Sequence, residues 1–187
     1  MANNNKNIMV AGDAILHLYV GALPKSKWAT TVDQELAPEF AGGEIGFITE
    51  DGSALSRTVE TTNINMHQQV NVRTVVSGGS QEFNFSAGET NKLTQDIFYG
   101  TVKAPGATYR TVNASNALTV TFNYDSFDIQ QGFEKKIRLA GMGLIYPSAE
   151  APFTRDGVTN YPLTISIQGD MYQSDEIIDE EEAPVEG

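Results

Sequence analysis

The chain has 187 residues, 40% hydrophobic and 19% charged, with a formal net charge of −12. These values exclude a wholly disordered chain and fit one domain with a real core. The absence of cysteine excludes disulfides and thiolate metal sites, leaving packing and assembly as the sources of stability. No apolar run is long enough to span a bilayer, and the first residues lack the charged start and apolar stretch of a secretory signal, so synthesis in a cytoplasm is expected. With 24 acids against 12 bases, a protein that wraps or reads DNA is disfavoured, because affinity for phosphates needs Lys and Arg. Such a surface suits solubility, or a wall that DNA passes without sticking.

In chain order, residues 1–9 are polar and Asn-rich and read as a flexible arm, with the N-terminal arm drawn over 1–11. A strand follows over 14–20 with bulk on both faces; His17 in it reads as a packed strand residue rather than a metal ligand, as does His67 in a polar loop. Residues 21–43 form a long irregular connection carrying Pro24, Lys25, Lys27, Trp28, Pro38 and Phe40, a length that is uncommon without a function. Trp28, the only tryptophan, reads as an aromatic anchor for a neighbouring subunit; the other reading is a satellite cluster on its own domain. One helical turn over 35–40, stopped by Pro38, is expected.

Residues 45–49 read as a strand, Glu50-Asp51-Gly52 as a tight turn, and 53–60 as the return strand. After a polar connection over 61–69, a strand over 70–76 turns at Ser77-Gly78-Gly79-Ser80 into 81–87, which places Phe83, Phe85 and Ala87 on one face. The period then changes to that of a helix over about 90–99. Leu93, Ile97 and Phe98 form its apolar stripe, opposite Asn91, Lys92, Gln95 and Asp96. Thr90 serves as N-cap, or Ser86 with Glu89 as a capping box, and Gly100 takes the left-handed position past the end. Burial of the three apolar residues contributes on the order of 1.5–3 kcal/mol each.

A turn at 103–106 leads to a strand over 108–112, and the cleanest alternation in the chain follows at 118–124. There Leu118, Val120, Phe122 and Tyr124 face a core, while Thr119, Thr121, Asn123 and Asp125 face water. Asn113-Ala114-Ser115 matches a glycosylation sequon, a chance match without a secretory signal. Lys135, Lys136 and Arg138 are basic but lack interleaved aromatics, so they are expected to pair with acids on a neighbouring subunit rather than with nucleic acid. Gly141 and Gly143 predict a bend before 144–147. Arg155-Asp156-Gly157 turns into a last strand, in which Leu163, Ile165 and Ile167 alternate with Thr164, Ser166 and Gln168. From Asp175 onward come seven acids and no base. The expected layout is an arm over 1–11, a β domain over 12–172 and an acidic tail over 173–187. Its class is mainly β, a β-sandwich or partly closed barrel with one short helix, long loops and terminal arms.

No catalytic constellation is present. Asp125 and Asp128 lie near each other in sequence, but nothing there supplies an acid of raised pKa. Gly42-Gly43 and Gly78-Gly79 lack the Lys-Ser/Thr of a phosphate loop, and no Ser sits in a nucleophile elbow. The expectation is a protein that is not an enzyme and needs no cofactor or metal.

The ordered set Gly46-Phe47-Ile48-Thr49-Glu50-Asp51-Gly52, Val72-Arg73-Thr74-Val75-Val76, Phe83-Asn84-Phe85 and Glu89-Thr90-Asn91-Lys92, ending Phe98-Tyr99-Gly100, resembles the major tail (tail tube) protein of long, non-contractile-tailed bacteriophages, most nearly those of phages infecting actinobacteria. Phe153-Thr154-Arg155-Asp156-Gly157 with 161–167 resembles that family's closing hairpin. The resemblance implies a virion structural protein of the tail. Hexameric rings would stack into a hollow tube through which DNA passes without sequence-specific binding, with no membrane involved. It also implies contacts with tape measure, tail terminator and tail tip proteins. Candidate inter-subunit residues are Lys25, Lys27, Trp28, Phe40, Lys135, Lys136 and Arg138; segments 22–43 and 61–69 and the two arms are candidates for ring-to-ring contact. Candidate lumen faces are Thr119/Thr121/Asn123/Asp125 and Thr164/Ser166/Gln168/Asp170. The alternative from another class is a monomeric or trimeric β-sandwich, serving as a binding or capsid-decoration module.

Overall fold

A computed structural model describes residues 13–66, 69–101, 104–110, 112, 116–130, 133–152 and 159–175. Seven strands occupy Asp13–Val20 (β1), Ile48–Met66 (β2), Gln69–Ala87 (β3), Leu118–Gln130 (β4), Phe133–Pro147 (β5), Tyr161–Ile167 (β6) and Tyr172–Asp175 (β7), with one helix, α1, at Lys92–Phe98. All pairings are antiparallel, and the sheet runs β1-β4-β5-β6-β3-β2, with β7 on β5 alongside β6. The fold is mainly β, as expected, but the sheet is open: β1 and β2 are its two ends and do not meet.

The sheet curls so that its two halves face each other. Phe83 of β3 stacks on Phe122 of β4 with ring centroids 5.9 Å apart, although β5 and β6 lie between them in the sheet. Ser53 Oγ of β2 donates to the Tyr124 hydroxyl of β4 across the same gap (2.6 Å). The core fills this space with the alternate residues of each strand: Leu16 and Leu18, Phe83, Phe85 and Ala87, Val120, Phe122 and Tyr124, Leu163 and Ile165. A period of two puts exactly one side of each strand there, so the alternation seen at 118–124 and 161–167 marks the core side correctly.

The expected pair of hairpins over 45–87 is one long hairpin instead. Glu50-Asp51-Gly52 lies inside β2, where Ile48 pairs with Ala87 but Ser53 already pairs with Phe85. The positive φ of Gly52 (74°) serves this irregularity in one strand rather than a chain reversal. Gly78 and Gly79 likewise lie inside β3, opposite Glu60 and Val59. A Cβ on Gly79 would come 2.9 Å from the Thr58 carbonyl, so that glycine permits a close cross-strand approach and makes no turn. The connection expected over 61–69 is mostly strand, and the two arms are joined beyond the Met66–Gln69 pair.

α1 is shorter than the expected 90–99, and its cap is Asn91, whose Oδ1 accepts from the Thr94 amide at 2.8 Å. Thr90 instead hydrogen-bonds the Tyr161 hydroxyl. Gly100 has the expected left-handed φ (67°), its amide donating to Ile97 and that of Thr101 to Asp96. Asp96, assigned to the polar side, is buried and engaged by Arg110 at 2.6 Å and Lys92 at 2.7 Å. Gly141 and Gly143 make no break in β5: a Cβ at Gly143 would lie 2.4 Å from the Ser166 carbonyl, so this glycine lets β6 approach. Among the described residues, 108–110 and 112 are not strand. β7 carries the sheet three residues into the stretch expected to be tail.

Candidate functional site

Two surfaces of this fold depend on the far side of the sheet and on its overhang. The first is the outer face of β4 and β5, where Thr121, Asn123, Asp125 and Arg138 point away from the core yet are buried. What buries them is the 21–43 segment, laid across the strands and bound through its backbone. The Leu23 amide donates to Thr121 Oγ1 (2.9 Å), which donates to the Gly21 carbonyl (3.0 Å). Asn123 Nδ2 donates to the Ala29 carbonyl (2.8 Å), and Lys136 Nζ to that of Val32 (3.0 Å). Arg138 sits at the centre: Nε and Nη2 donate to the two Asp125 oxygens at 2.6 and 2.7 Å, and Nη1 donates to the Thr31 and Gln34 carbonyls. A bidentate guanidinium–carboxylate pair with its remaining donors satisfied can be buried stably.

The segment carries a small core of its own. Trp28 and Phe40 are almost wholly buried with Leu23 and Ala140, and Trp28 Nε1 donates to the Leu23 carbonyl at 3.0 Å. Its regular pieces are 3-10 turns at Lys25–Lys27 and Pro38–Phe40, so Pro38 starts the second turn rather than stopping one. Lys27 pairs with Glu39 across the segment. Lys25 reaches Asp170 at 2.5 Å and lies over the Tyr172 ring, which meets Trp28 edge-on. The ammonium of Lys25 holds the Asp170 carboxyl below its usual range, and Asp170 in turn raises Lys25.

These contacts relocate most of the expected site. Trp28, Phe40 and Arg138 are interior residues of their own protomer rather than exposed inter-subunit anchors, and Lys25 and Lys27 are occupied by internal pairs. Thr121, Asn123 and Asp125 face the 21–43 backbone instead of a solvent-filled bore, and Thr119 is half-buried. Thr164 is buried against Asn84, Ser166 half-buried, and only Gln168 and Asp170 of that face are exposed. Lys136 bonds inward, and the Lys135 side chain lies outside the described residues, as do the side chains of Glu50 and Asp51. His67, Arg155-Asp156-Gly157, Asn113-Ala114-Ser115 and both terminal arms (1–11 and 176–187) also lie outside them. Glu89 packs against Gly46.

The second surface is the part of the long hairpin beyond the sheet. β3 pairs with β6 only over residues 82–87, so its residues 69–81 have β2 as their one strand partner. Among the described strands β2 has β3 alone as its partner along its whole length. Among the described residues the result is a two-stranded ribbon with both edges unpaired. Leu55 (41% exposed), Val59 (47%) and Val76 (66%) stand in water on it, with Ile64 and Val75. At its root is a groove of ≈ 300 Å³ lined by Arg57, Val59, Val76, Gln81 and Ile167, where Gln81 Oε1 has no hydrogen-bond partner. In a chain of charge −12, residues 53–81 carry Arg57 and Arg73 against Glu60 alone. The sequence reading gives this stretch as strands over 53–60 and 70–76, separated by a polar connection over 61–69 and followed by a turn at 77–80. The signal it held was the β-branched content on both sides of 61–69.

No protein-family profile matches the chain, and no curated protein matches it.

Proposed function

We propose that this chain is the structural subunit of a phage tail tube, assembling through its own copies into stacked, ring-like tiers around a conduit for DNA. The observation that carries the reading is the ribbon of β2 and β3. An isolated two-stranded ribbon is marginal in water, and long edges bearing exposed Val, Ile and Leu are an aggregation hazard unless paired. The free edge of β2 and the free edge of β3 differ, so pairing one with the other between copies is head-to-tail, the association that generates closed rings or filaments. The slight positive charge of the ribbon in an acidic chain favours another copy of the same chain as the partner. The family resemblance of the ordered sequence segments supplies the remaining detail: six-fold rings, a lumen, and tape measure, terminator and tip proteins at the ends. Gln168 and Asp170 are the acceptable bore residues that remain exposed.

Negative-stain microscopy with light scattering on concentrated purified protein tests the reading. Rings or tubes of uniform width support it. Uniform single-domain particles at every concentration overturn it in favour of a β-fold binding or decoration module.

A further inference from the structure

We propose that residues 22–42 form a strap that lifts from the sheet as one body, hinged at Gly21 and Gly42, with the Arg138–Asp125 pair as its clasp. The inference does not depend on the assembly reading. The strap starts and ends beside β1: Gly21 follows its last residue and donates its amide to Thr119 of the neighbouring β4, and on the return Gly43 accepts from the Leu18 amide while the Ile45 amide donates to Leu16, both within β1. The segment therefore leaves and returns to one place, so its body can move while β1 stays in the sheet. Positive φ values stand at both ends, 133° at Gly21 and 74° at Gly42. These are conformations open to glycine and costly to other residues.

The strap is tied together internally. Trp28 Nε1 bonds Leu23, Lys27 pairs with Glu39 across its two limbs, and the Thr30 amide bonds Gln34 Oε1. Its ties to the sheet are different in kind: single side chains of Thr121, Asn123, Lys136 and Arg138 reach its backbone, and water can replace each of those partners. The floor is polar at these four positions, while Ala140, with Tyr19 and Met142 beside it, forms an apolar part that meets Leu23, Trp28 and Phe40. Asn123 Oδ1 is buried without a partner while the strap is down, so it gains one when the strap rises. Lys25–Asp170 and Tyr172 against Trp28 must also part, and the ion pair is solvent-exposed. Lifting uncovers two surfaces at once, the partly polar floor and the apolar underside of Leu23, Trp28 and Phe40.

The cysteine-free chain allows a direct test. Ala29→Cys places a thiol under the strap, and Ala87→Cys places one in the main core; both alanines are fully buried. In native buffer the thiol at 29 is expected to react with a maleimide at least ~10-fold faster than that at 87, with a weaker dependence on urea, as for local opening. Adding Arg138→Met should widen this ratio. In the unaltered chain the Leu23 amide, bonded to the sheet, should exchange with solvent hydrogen before the Phe122 amide. Equal labelling rates with equal urea dependence overturn the proposal. If Ala29→Cys does not fold, simultaneous exchange of Leu23 and Phe122 overturns it alone, and earlier exchange of Leu23 upholds it.

Discussion

The strap and the ribbon are two stretches of similar length that treat hydrophobic residues in opposite ways. The strap has almost no regular structure, yet it buries Trp28 and Phe40 and satisfies its carbonyls on sheet side chains. The ribbon is strand along both arms, with register shifts at Glu60/Thr61 and Ile64/Met66, yet it leaves Val59 and Val76 in water. Regularity of the backbone and completion of the fold are thus separate matters here. The irregular element is covered by its own chain, whereas among the described residues the strand element leaves edges and apolar side chains exposed.

Substitutions should separate the two. Trp28→Ala is expected to cost about 3–5 kcal/mol of folding stability, as for large aromatics in cores, measured by urea unfolding with circular dichroism because the only tryptophan is lost. A loss under about 1 kcal/mol would place Trp28 outside the folded core in solution. Arg138→Met strands Asp125 beneath the strap with only Lys136, 3.9 Å away, and should cost about 3 kcal/mol. Gly143→Ala drives a methyl into the Ser166 carbonyl and should cost about 1–3 kcal/mol, read from the same unfolding curves.

Val59→Ser with Val76→Ser should leave monomer stability within about 0.5 kcal/mol while reducing the assembled fraction by light scattering. A large stability loss with unchanged assembly would show that the ribbon serves its own chain instead. The smallest effect concerns Asp170 and Lys25. Asp170 has a lowered pKa when folded, so its contribution is complete above the ordinary carboxylate range and is lost as pH falls through the lowered value. Lys25 has a raised pKa, so its contribution is complete below the ordinary lysine value and is lost as pH rises past the raised one. Asp170→Asn should therefore lower the melting temperature slightly near neutral pH and flatten its decline at both extremes.

How far the sequence reveals this molecule differs between its parts for physical reasons. β4 and β6 are legible because burial on one side imposes a period of two on Val120, Phe122 and Tyr124, and on Leu163 and Ile165. The end of α1 is legible because a left-handed residue there requires something like Gly100. The strap's resting place is not legible. Thr121, Asn123 and Asp125 look the same in sequence whether water or a carbonyl meets them, and a backbone used as acceptor leaves no trace in its own side chains. Proximity to Lys135 and Lys136 makes Arg138 read as a surface base, whereas its place opposite Asp125 in the β4–β5 register decides its role. Gly79 misled because glycine marks close approach as readily as a turn.

One detail of the sheet's perimeter has a wider consequence. The middle of β1 is already flanked by the chain's own backbone at 43–45, through the bonds of Leu18 to Gly43 and Ile45 to Leu16. Endless fibrous stacking requires each unit to offer a receptive margin on both sides. Here one margin has been blunted at its centre, which disfavours growth by strand addition along the middle of β1.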